Sequence, residues 1–267
     1  MTERPEIVKV TKIIDEAEGI KSIFFDKKID AKPGQFVMLW LPGIDEKPFA
    51  IAYMNDDSFG LTVAAVGPFS NKLCSMRVGD RVGIRGPYGT SYNLGDAKKI
   101  VMVGGGYGSA SLALLATDAI DNGIEVIFIA GSRTKSRVIY EDRIRKLGVS
   151  EFIITTDDGS YGVKGLTTDT LEDVLKREKI DKVFACGPEM MLKNVTEICI
   201  NKGIDGEVSI ERYFKCGYGL CGHCCMDPLG IRACTEGPVI DVKLAQQLTE
   251  LGSYHRVKSS RKEKLYA

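Results

Sequence analysis

Short runs of alternating apolar and polar residues, separated by turn residues, make up the first third of the chain. Turn sequences such as Lys32-Pro-Gly and Val78-Gly-Asp stand between them, at a spacing typical of an antiparallel barrel or sandwich. One short helix is predicted at about 70–76. The predicted strands are 7–14, 20–25, 35–41, 49–53, 59–66 and 81–85.

The pattern changes at Lys98, where apolar strands begin to alternate with helices. This alternation of buried, β-branched strands with helices predicts a parallel sheet that is covered on both faces. In such a sheet the ligand crevice lies at the carboxyl ends of the strands, and the turns 104–108, 131–133, 157–159 and 186–188 fall there. The predicted strands are 99–103, 125–130, 152–156 and 183–186, and the predicted helices are 109–119, 139–147, 168–176 and 189–201.

Composition narrows the function classes. The 267 residues can form two domains and an appendage, and a net charge of zero argues against a nucleic-acid partner. The longest uncharged run, 100–117, is interrupted by glycines, so no membrane span is expected.

The charged N-terminus predicts a cytoplasmic protein with reduced thiols. We expect the basic tail, 258–264, to be a solvated end.

Five of the eight cysteines lie in under twenty residues. With Cys225 set aside, Cys216, Cys221, Cys224 and Cys234 give the spacing Cys-x4-Cys-x2-Cys followed by a longer gap. This is close to the thiolate spacing that holds a [2Fe-2S] cluster. The glycines between the cysteines agree with this assignment, because a cluster loop must wrap backbone closely around sulfide.

Other interpretations of the cysteine-rich loop are open at this point. A structural zinc site would normally show a second Cys-x2-Cys pair, whereas here Cys234 stands alone. Cys225 could replace Cys224 as the third ligand, although the spacing favours Cys224. We expect His223 to face solvent or to lie beside a sulfur rather than to be a ligand.

The loop Gly104-Gly-Gly-Tyr-Gly108 joins a predicted strand to a predicted helix. Such a loop presents backbone N–H groups and the positive end of a helix to a pyrophosphate. It also occurs simply to let a helix pack tightly on a sheet. The loop is not a standard G-x-G-x-x-G, and Ser132 and Arg133 stand where an acidic residue would close the second strand. Alone, the loop is weak evidence for a dinucleotide.

The order of these motifs resembles that of the ferredoxin-NADP reductase superfamily and, within it, the electron transfer subunits of dihydroorotate dehydrogenase. The resemblance covers nearly the whole chain and includes the stretches 211–216 (ERYFKC) and 235–241 (TEGPVID). It implies a multidomain β plus α/β fold. The expected parts are an FAD-binding antiparallel β-barrel at 1–97, a Rossmann-like NAD domain at 98–208 and a [2Fe-2S] segment with its tail at 209–267.

The resemblance also assigns flavin-binding residues in three motifs. The first departs from the family's Arg-Pro-x-Ser: Lys47 loses the bidentate fork of arginine, and Ala50 cannot donate a hydroxyl hydrogen bond. In the second, Ser70 replaces the usual threonine and keeps a hydroxyl for the pyrophosphate. The expected FAD contacts are Lys47, Pro48, Phe49 and Ala50, then Val66, Gly67 and Ser70, then Gly86, Tyr88 and Gly89.

For the nucleotide, the resemblance places the Cys186-Gly-Pro turn under the nicotinamide, with Cys186 near the carbon that exchanges hydride and thus a contributor to catalysis. Without the resemblance, Cys186 would be interpreted as a small buried apolar residue. NAD is favoured over NADP on resemblance only. The expected nucleotide contacts are Gly104, Gly105, Gly106, Gly108, Ser132, Arg133, Asp157, Gly187 and Pro188.

The resemblance further implies a function and a partner. Electrons would pass from the FMN of a catalytic dihydroorotate dehydrogenase subunit through the [2Fe-2S] cluster and FAD to NAD, in pyrimidine biosynthesis and within a heterotetramer. Tyr218, Leu220 and the tail after Val239 are candidates for the partner interface, and the alternative is that they only shield the cluster. Two alternative functions are open. The first is a diaphorase subunit of a cytosolic hydrogenase or of a ferredoxin-NADP transhydrogenase, which shares the Cys-Gly-His-Cys stretch. The second is a zinc-stabilised binding protein without enzymatic activity.

Overall fold

The computed structural model describes residues 4–265, and the N-terminal part of this range forms a closed antiparallel barrel of six strands. Its strands are β1 (Glu6–Ala17), β2 (Ile20–Phe25), β3 (Phe36–Leu41), β4 (Asp45–Met54), β5 (Phe59–Ala64) and β6 (Arg81–Tyr88). They follow one another around the barrel in the order β1, β2, β5, β4, β3, β6. Helix α1 (Pro68–Cys74) lies between β5 and β6 in the chain.

The barrel closes around side chains that alternate inward along its strands, and Ile23, Phe25, Leu39 and Phe59 are completely buried. This confirms the predicted barrel. Strand β4 begins earlier than predicted, because its first six residues pair with the whole of β3, from Asp45 opposite Leu41 to Ala50 opposite Phe36. As a result, the polar stretch before Phe49 also belongs to the barrel wall.

The second part of the chain is a sheet of seven strands, parallel at its centre. Its strands are β7 (Lys99–Gly105), β8 (Glu125–Ser132), β9 (Glu151–Thr156), β10 (Val163–Lys164), β11 (Lys182–Cys186), β12 (Asp205–Ser209) and β15 (Val239–Asp241). The sheet order is β10, β9, β8, β7, β11, β12, β15. The helices beside it are α2 (Ser109–Asp121), α3 (Glu141–Leu147), α4 (Thr167–Arg177) and α5 (Glu189–Lys202).

Three strands extend this sheet beyond the predicted alternation, and one of them, β10, pairs parallel with β9 at one edge. Strand β12 adds a parallel neighbour to β11, and β15, which lies past residue 208, pairs antiparallel with β12 through Val208 and Ile240. The segment that follows the sheet therefore returns to complete its edge. None of the helices within residues 4–265 is long and apolar enough to cross a membrane.

The C-terminal segment contains short elements. A two-stranded ribbon is formed by β13 (Cys225–Met226) and β14 (Ile231–Arg232), and α6 (Val242–Gln246) follows β15. The chain then forms a hairpin of β16 (Tyr254–Arg256) and β17 (Lys262–Lys264). The predicted solvated tail, 258–264, is largely exposed, as expected, but it is paired in a hairpin and is not a free end. Asp227 anchors the hairpin, because its Oδ2 lies 2.8 Å from Tyr254 Oη, Arg256 Nη2 and Lys262 Nζ.

A polar and aromatic cluster joins the barrel to the α/β part. The guanidinium of Arg143 stacks 3.8 Å from the ring centre of Tyr53 and donates to the Ala52 carbonyl at 2.9 Å. The buried hydroxyl of Tyr140 hydrogen-bonds to Thr62 of the barrel. Tyr140 holds a left-handed backbone conformation, with φ of 65°, to make this contact. The two parts are thus fixed against each other beside β5.

A buried ion triad ties the C-terminal segment to the sheet. Arg212 follows β12, and its guanidinium bonds to Glu189, the first residue of α5, and to Glu250 at 2.8 Å. Glu250 is completely buried and also accepts the Asp227 backbone N–H at 3.1 Å. Glu189 accepts the Gly252 N–H at 2.9 Å. One charge therefore connects the sheet, α5 and the base of the hairpin.

We expect Glu250→Gln to lower the free energy of unfolding by about 3 kcal/mol, because it leaves the buried guanidinium short of a counter-charge. Asp173→Asn breaks an exposed pair with Lys176 and should cost about 0.5 kcal/mol or less. Urea denaturation followed by circular dichroism measures both. Equal losses in the two variants would contradict the structural role of the triad.

Candidate functional site

Two large cavities meet at the seam between the barrel and the sheet. The first has a volume of about 570 Å³ and lies against barrel strand β4 and helix α1. The second, of about 960 Å³, lies at the carboxyl ends of the parallel strands. A ligand in one cavity would therefore adjoin a ligand in the other. The two cavities share Ala64, Val66, Tyr107, Glu211, Arg212 and Tyr213 in their linings.

The first cavity contains two of the three predicted flavin motifs. Lys47 is fixed there, because its ammonium donates to Tyr213 Oη at 2.6 Å and pairs with Asp45 at 2.9 Å. Although burial lowers the pKa of Lys47, these two partners outweigh it and raise the pKa, so the side chain is a cation. The predicted residues that line this cavity are Lys47, Pro48, Phe49, Ala50, Val66, Gly67 and Ser70.

The hydroxyl of Ser70 is used inside its own helix turn. It accepts the backbone N–H groups of Val66 and Gly67, both at 3.0 Å, and so closes the start of α1. Its predicted contact with a pyrophosphate stays a prediction. The sequence Gly67-Pro-Phe-Ser70 forms this turn because Pro68 suits the first helical position, where no N–H is needed.

The third predicted motif does not line either cavity. Gly86, Tyr88 and Gly89 lie behind Phe36, which is a wall residue of the first cavity, with the Tyr88 ring centre 5.9 Å from that of Phe36. A Cβ on Gly89 would come within 2.6 Å of Pro238 in the C-terminal segment. The structure therefore places this motif at the contact between the barrel and the C-terminal segment.

The glycine loop is built for close packing against the Cys186 turn. A Cβ on Gly108 would lie 2.4 Å from the Cys186 carbonyl oxygen, and one on Gly187 would lie 2.8 Å from the Cα of Gly105. Only residues without side chains let the two turns approach this closely. Gly105 and Gly106 line the second cavity, whereas Gly108 lines the first, so the start of α2 stands between the two.

The second cavity collects most of the predicted nucleotide residues. Gly104 and Gly108 are the exceptions, since Gly104 packs against Ser109 and lines neither cavity, and Gly108 lines the first. Arg137, Thr155, Met191 and Asn194 also line it and were not predicted, because nothing in their local sequence marks them. The predicted residues in the lining are Gly105, Gly106, Ser132, Arg133, Asp157, Gly187 and Pro188.

Cys186 lines the first cavity, while the next two residues of its turn line the second. The thiol is buried, and burial raises its pKa to about 11, so it is protonated at neutral pH. It is therefore poised as a neutral, polarisable contact and not as a thiolate nucleophile. Its predicted role near the hydride-exchanging carbon is untested and stays a prediction.

Residues 211–213, which come shortly after β12, form a wall that the two cavities share. Glu211 exposes its side chain to the cavities, and Tyr107 Oη donates to its Oε2 at 3.4 Å. Surrounding protein raises the pKa of this carboxyl. Arg212 Nη2 is buried and has no hydrogen-bond partner among residues 4–265. The sequence marks residues 211–216 only as a stretch that carries the family resemblance, and their position at the cavities is not predicted.

The four predicted ligand cysteines lie together as two linked pairs. Cys216 and Cys221 form one pair, with the Cys221 N–H 3.5 Å from Cys216 Sγ, while Cys224 and Cys234 form the other through a thiol hydrogen bond. That bond lowers the pKa of Cys234 to about 6 and raises the pKa of Cys224. A side-chain contact between Cys234 and Cys216 joins the pairs. A cluster of two irons takes its thiolates in two such pairs.

Local glycines shape this loop, and a buried histidine supports it. Gly217, Gly219 and Gly222 all have positive φ, of 84°, 84° and 65°, which lets the backbone turn around the sulfurs. His223 is buried, so the expectation of a solvent-facing ring is wrong, while its alternative, a place beside a sulfur, stays a prediction. Its ring lies 5.3 Å from that of Tyr213, centre to centre.

Comparisons with known proteins settle the family. Residues 211–245 match the family model described as the iron-sulfur cluster binding domain of dihydroorotate dehydrogenase B. A probable dihydroorotate dehydrogenase B (NAD(+)) electron transfer subunit of Methanocaldococcus jannaschii is 44% identical, over 97% of this chain and 98% of that protein. The chain belongs to the family of dihydroorotate dehydrogenase B electron transfer subunits. The resemblance stated from the sequence is thereby confirmed.

Other members of this family and a solved structure agree. The probable electron transfer subunit of Pyrococcus furiosus is 41% identical over 95% of this chain and 97% of its own length. A structure of an NADH-dependent reduced ferredoxin-NADP oxidoreductase, described in terms of flavin-based electron bifurcation, superposes with a TM-score of 0.82 at 26% identity. The superposition covers 92% of this chain and 94% of the chain in that structure. The predicted arrangement of barrel, parallel sheet and iron-sulfur segment is thus confirmed.

We expect Glu211→Gln to stabilise the protein more at pH 8 than at pH 5. The raised pKa means that ionising Glu211 costs more in the folded than in the unfolded state. This cost is absent below the unfolded pKa, near 4.3, and is complete above the folded pKa, so the gain from glutamine grows with pH. Thermal unfolding midpoints across this range measure it, with Glu197→Gln, on the exposed face of α5, as matched control. A gain that falls as pH rises would contradict the assignment.

Proposed function

We propose that this chain is the electron transfer subunit of an NAD-dependent dihydroorotate dehydrogenase in pyrimidine biosynthesis. It takes electrons at a [2Fe-2S] cluster from the FMN of a catalytic subunit and delivers them, by way of FAD, to NAD. The names of its relatives, which span the full chain, support this assignment.

One structural observation carries the proposal: a single wall serves all three cofactor sites. Residues 211–213 line both cavities, and Phe214 lines the first. Cys216, the first cluster ligand, follows two residues later, so its Cα lies at most about 7 Å from that of Phe214. A carrier of single electrons, a flavin and a nicotinamide would therefore be adjacent in that order, which is the order that the reaction requires.

The residues present fit the cofactors. The two cysteine pairs and the positive-φ glycines suit a binuclear cluster with ligands Cys216, Cys221, Cys224 and Cys234. Lys47 offers a fixed cation to the anionic flavin nucleotide in the first cavity. Arg212 Nη2, buried and without a partner among residues 4–265, offers a donor at the seam. Gly105 and Gly106 offer backbone N–H groups to a pyrophosphate in the second cavity.

When bound, the cluster exchanges single electrons, nicotinamide exchanges a hydride, and a flavin does both. The protein supplies placement and exclusion of water. The Cys186 turn and Tyr107 stand between the two cavities, so the two ring systems are held at one seam. The protonated thiol of Cys186 brings no negative charge to that seam at neutral pH.

The catalytic partner is expected to cover the cluster loop. In sequence, Leu220 lies between the members of the first cysteine pair and Leu229 between those of the second, and they are 76% and 47% exposed; Tyr218, also within the first pair, is partly exposed. Apolar side chains at such a position suit a protein interface. An assembly of two such chains on a dimer of the FMN-containing catalytic subunit is the heterotetramer that we propose.

Mixing the purified chain with the catalytic subunit tests the function. We expect NAD reduction that depends on dihydroorotate, on both proteins and on flavin and iron in this chain. Each protein alone should give less than about 1% of this rate, because the route from one active site to the other would be interrupted. No stimulation by the catalytic subunit, together with rapid reduction of NADP by reduced ferredoxin, would favour a transhydrogenase subunit instead.

Cys224→Ser and Cys225→Ser form a matched pair for the cluster ligands. We expect Cys224→Ser to lose most iron and acid-labile sulfide, since Cys224 is paired with Cys234. Cys225→Ser should retain both, because its thiol belongs to neither pair. Iron, sulfide and visible absorption after anaerobic purification measure the difference. Loss of the cluster in Cys225→Ser alone would exchange the two assignments.

A further inference from the structure

The C-terminal hairpin forms one wall of the second cavity. His255, Arg256, Val257 and Lys258 line it from β16 and the turn that follows, and Leu265 lines it after β17. They face the cavity beside Tyr213, close to the seam where the two cavities meet. The sequence makes this segment a candidate for the partner interface and assigns it no role in nucleotide binding.

The hairpin brings positive charge to that wall. Residues 254–265 contain five basic residues and one acidic residue, whereas the chain as a whole is neutral. Arg256 is paired with Asp227, which fixes it at 2.8 Å. Lys258 is held only loosely, by a 3.5 Å pair with Asp45 in which its side chain is 73% exposed. Lys258 is thus the cation that can move toward a negatively charged ligand.

Two contacts to the cluster loop hold the hairpin turn over the cavity. His223 Nε2 lies 3.2 Å from the Val257 carbonyl oxygen, and its Nδ1 lies 2.9 Å from Ser260 Oγ. The carbonyl can only accept, so Nε2 carries the proton, and Nδ1 of the neutral ring accepts from the Ser260 hydroxyl.

Backbone strain marks Ser260 as more than a turn residue. Its φ is 67°, in the left-handed region that favours glycine. Among residues 4–265, the other non-glycine residue with positive φ is Tyr140, which also uses its side chain to join two parts of the structure. Serine at this position keeps the hydroxyl contact at the expense of an unfavourable conformation.

We propose that the hairpin is part of the dinucleotide site: Lys258 contributes a positive charge to the bound dinucleotide, and Ser260, held by His223, positions the hairpin for this contact. This inference rests on the proposed function of the second cavity as the NAD site. It adds a binding residue and a positioning residue outside the sheet, and it joins the nucleotide site physically to the cluster loop.

Equilibrium titration of the cofactor-loaded chain with NADH tests the binding residue. Lys258→Ala should weaken NADH binding about tenfold, the loss expected for one charge-assisted contact. Lys264→Ala removes an equal charge from the same hairpin at a residue that does not line the cavity, and it should leave affinity unchanged. The difference between these variants should shrink at high ionic strength, because a Coulombic contact is screened.

A second pair of variants tests the positioning residue. Ser260→Gly relieves the strained backbone but removes the hydroxyl, and we expect it to raise the KM for NAD several-fold at unchanged kcat, with unchanged flavin and iron content. Ser260→Asn tolerates the left-handed conformation and keeps a donor for His223, so it should restore the wild-type KM. A merely structural serine would give a Ser260→Gly variant with wild-type KM and equal or greater thermal stability.

The outcomes separate this inference from the function on which it rests. If the wild-type chain binds NADH and Lys258→Ala binds it equally well, the hairpin has no part in the site and the inference is overturned. If the wild-type chain does not bind NADH, the proposed function fails and the inference fails with it. Weaker NADH binding in Lys258→Ala but not in Lys264→Ala supports both the inference and the proposed function.

Discussion

The buried guanidinium of Arg212 is the constraint on which the site depends. A charge removed from water must be matched by partners in fixed positions, and Glu189 and Glu250 provide them from α5 and from the C-terminal segment. These three residues come from distant parts of the sequence, so their pairing fixes the segment against the end of the sheet. Arg212 lines both cavities, and its buried Nη2 has no hydrogen-bond partner among residues 4–265.

This constraint explains why the two cavities are continuous. The wall from Glu211 to Phe214 cannot move away from the sheet while Arg212 is held, and the same wall closes the barrel cavity from the opposite side. The barrel is fixed in turn through Tyr140 and Arg143. A hydride can pass directly only between rings in contact, and a rigid seam between two adjoining cavities suits such a contact.

Periodicity and spacing predicted most of the architecture, because barrel strands, parallel strands and cysteine ligands leave local signals. The hairpin at 254–265 left none, since its stability comes from Asp227 and His223 and not from an apolar pattern of its own. The same holds for Arg212, whose neighbours in sequence do not reveal its buried partners. In the third flavin motif a sequence signal is present but has another cause. Gly86 and Gly89 match a family pattern, yet their lack of side chains is explained here by contact with neighbouring backbone and with Pro238.

The short stretch of chain between the cavity wall and the cluster limits where insertions can occur in such a protein. Only Lys215 separates Phe214, on the flavin cavity, from Cys216, so an insertion there would move the cluster away from the flavin. The gap between Cys224 and Cys234 is not limited in this way, because it contains the β13 and β14 ribbon, which can lengthen outward without moving either sulfur. Variation in length is therefore tolerated after the third cysteine and excluded before the first, since electron transfer depends on the distance to the flavin and not on the size of the loop.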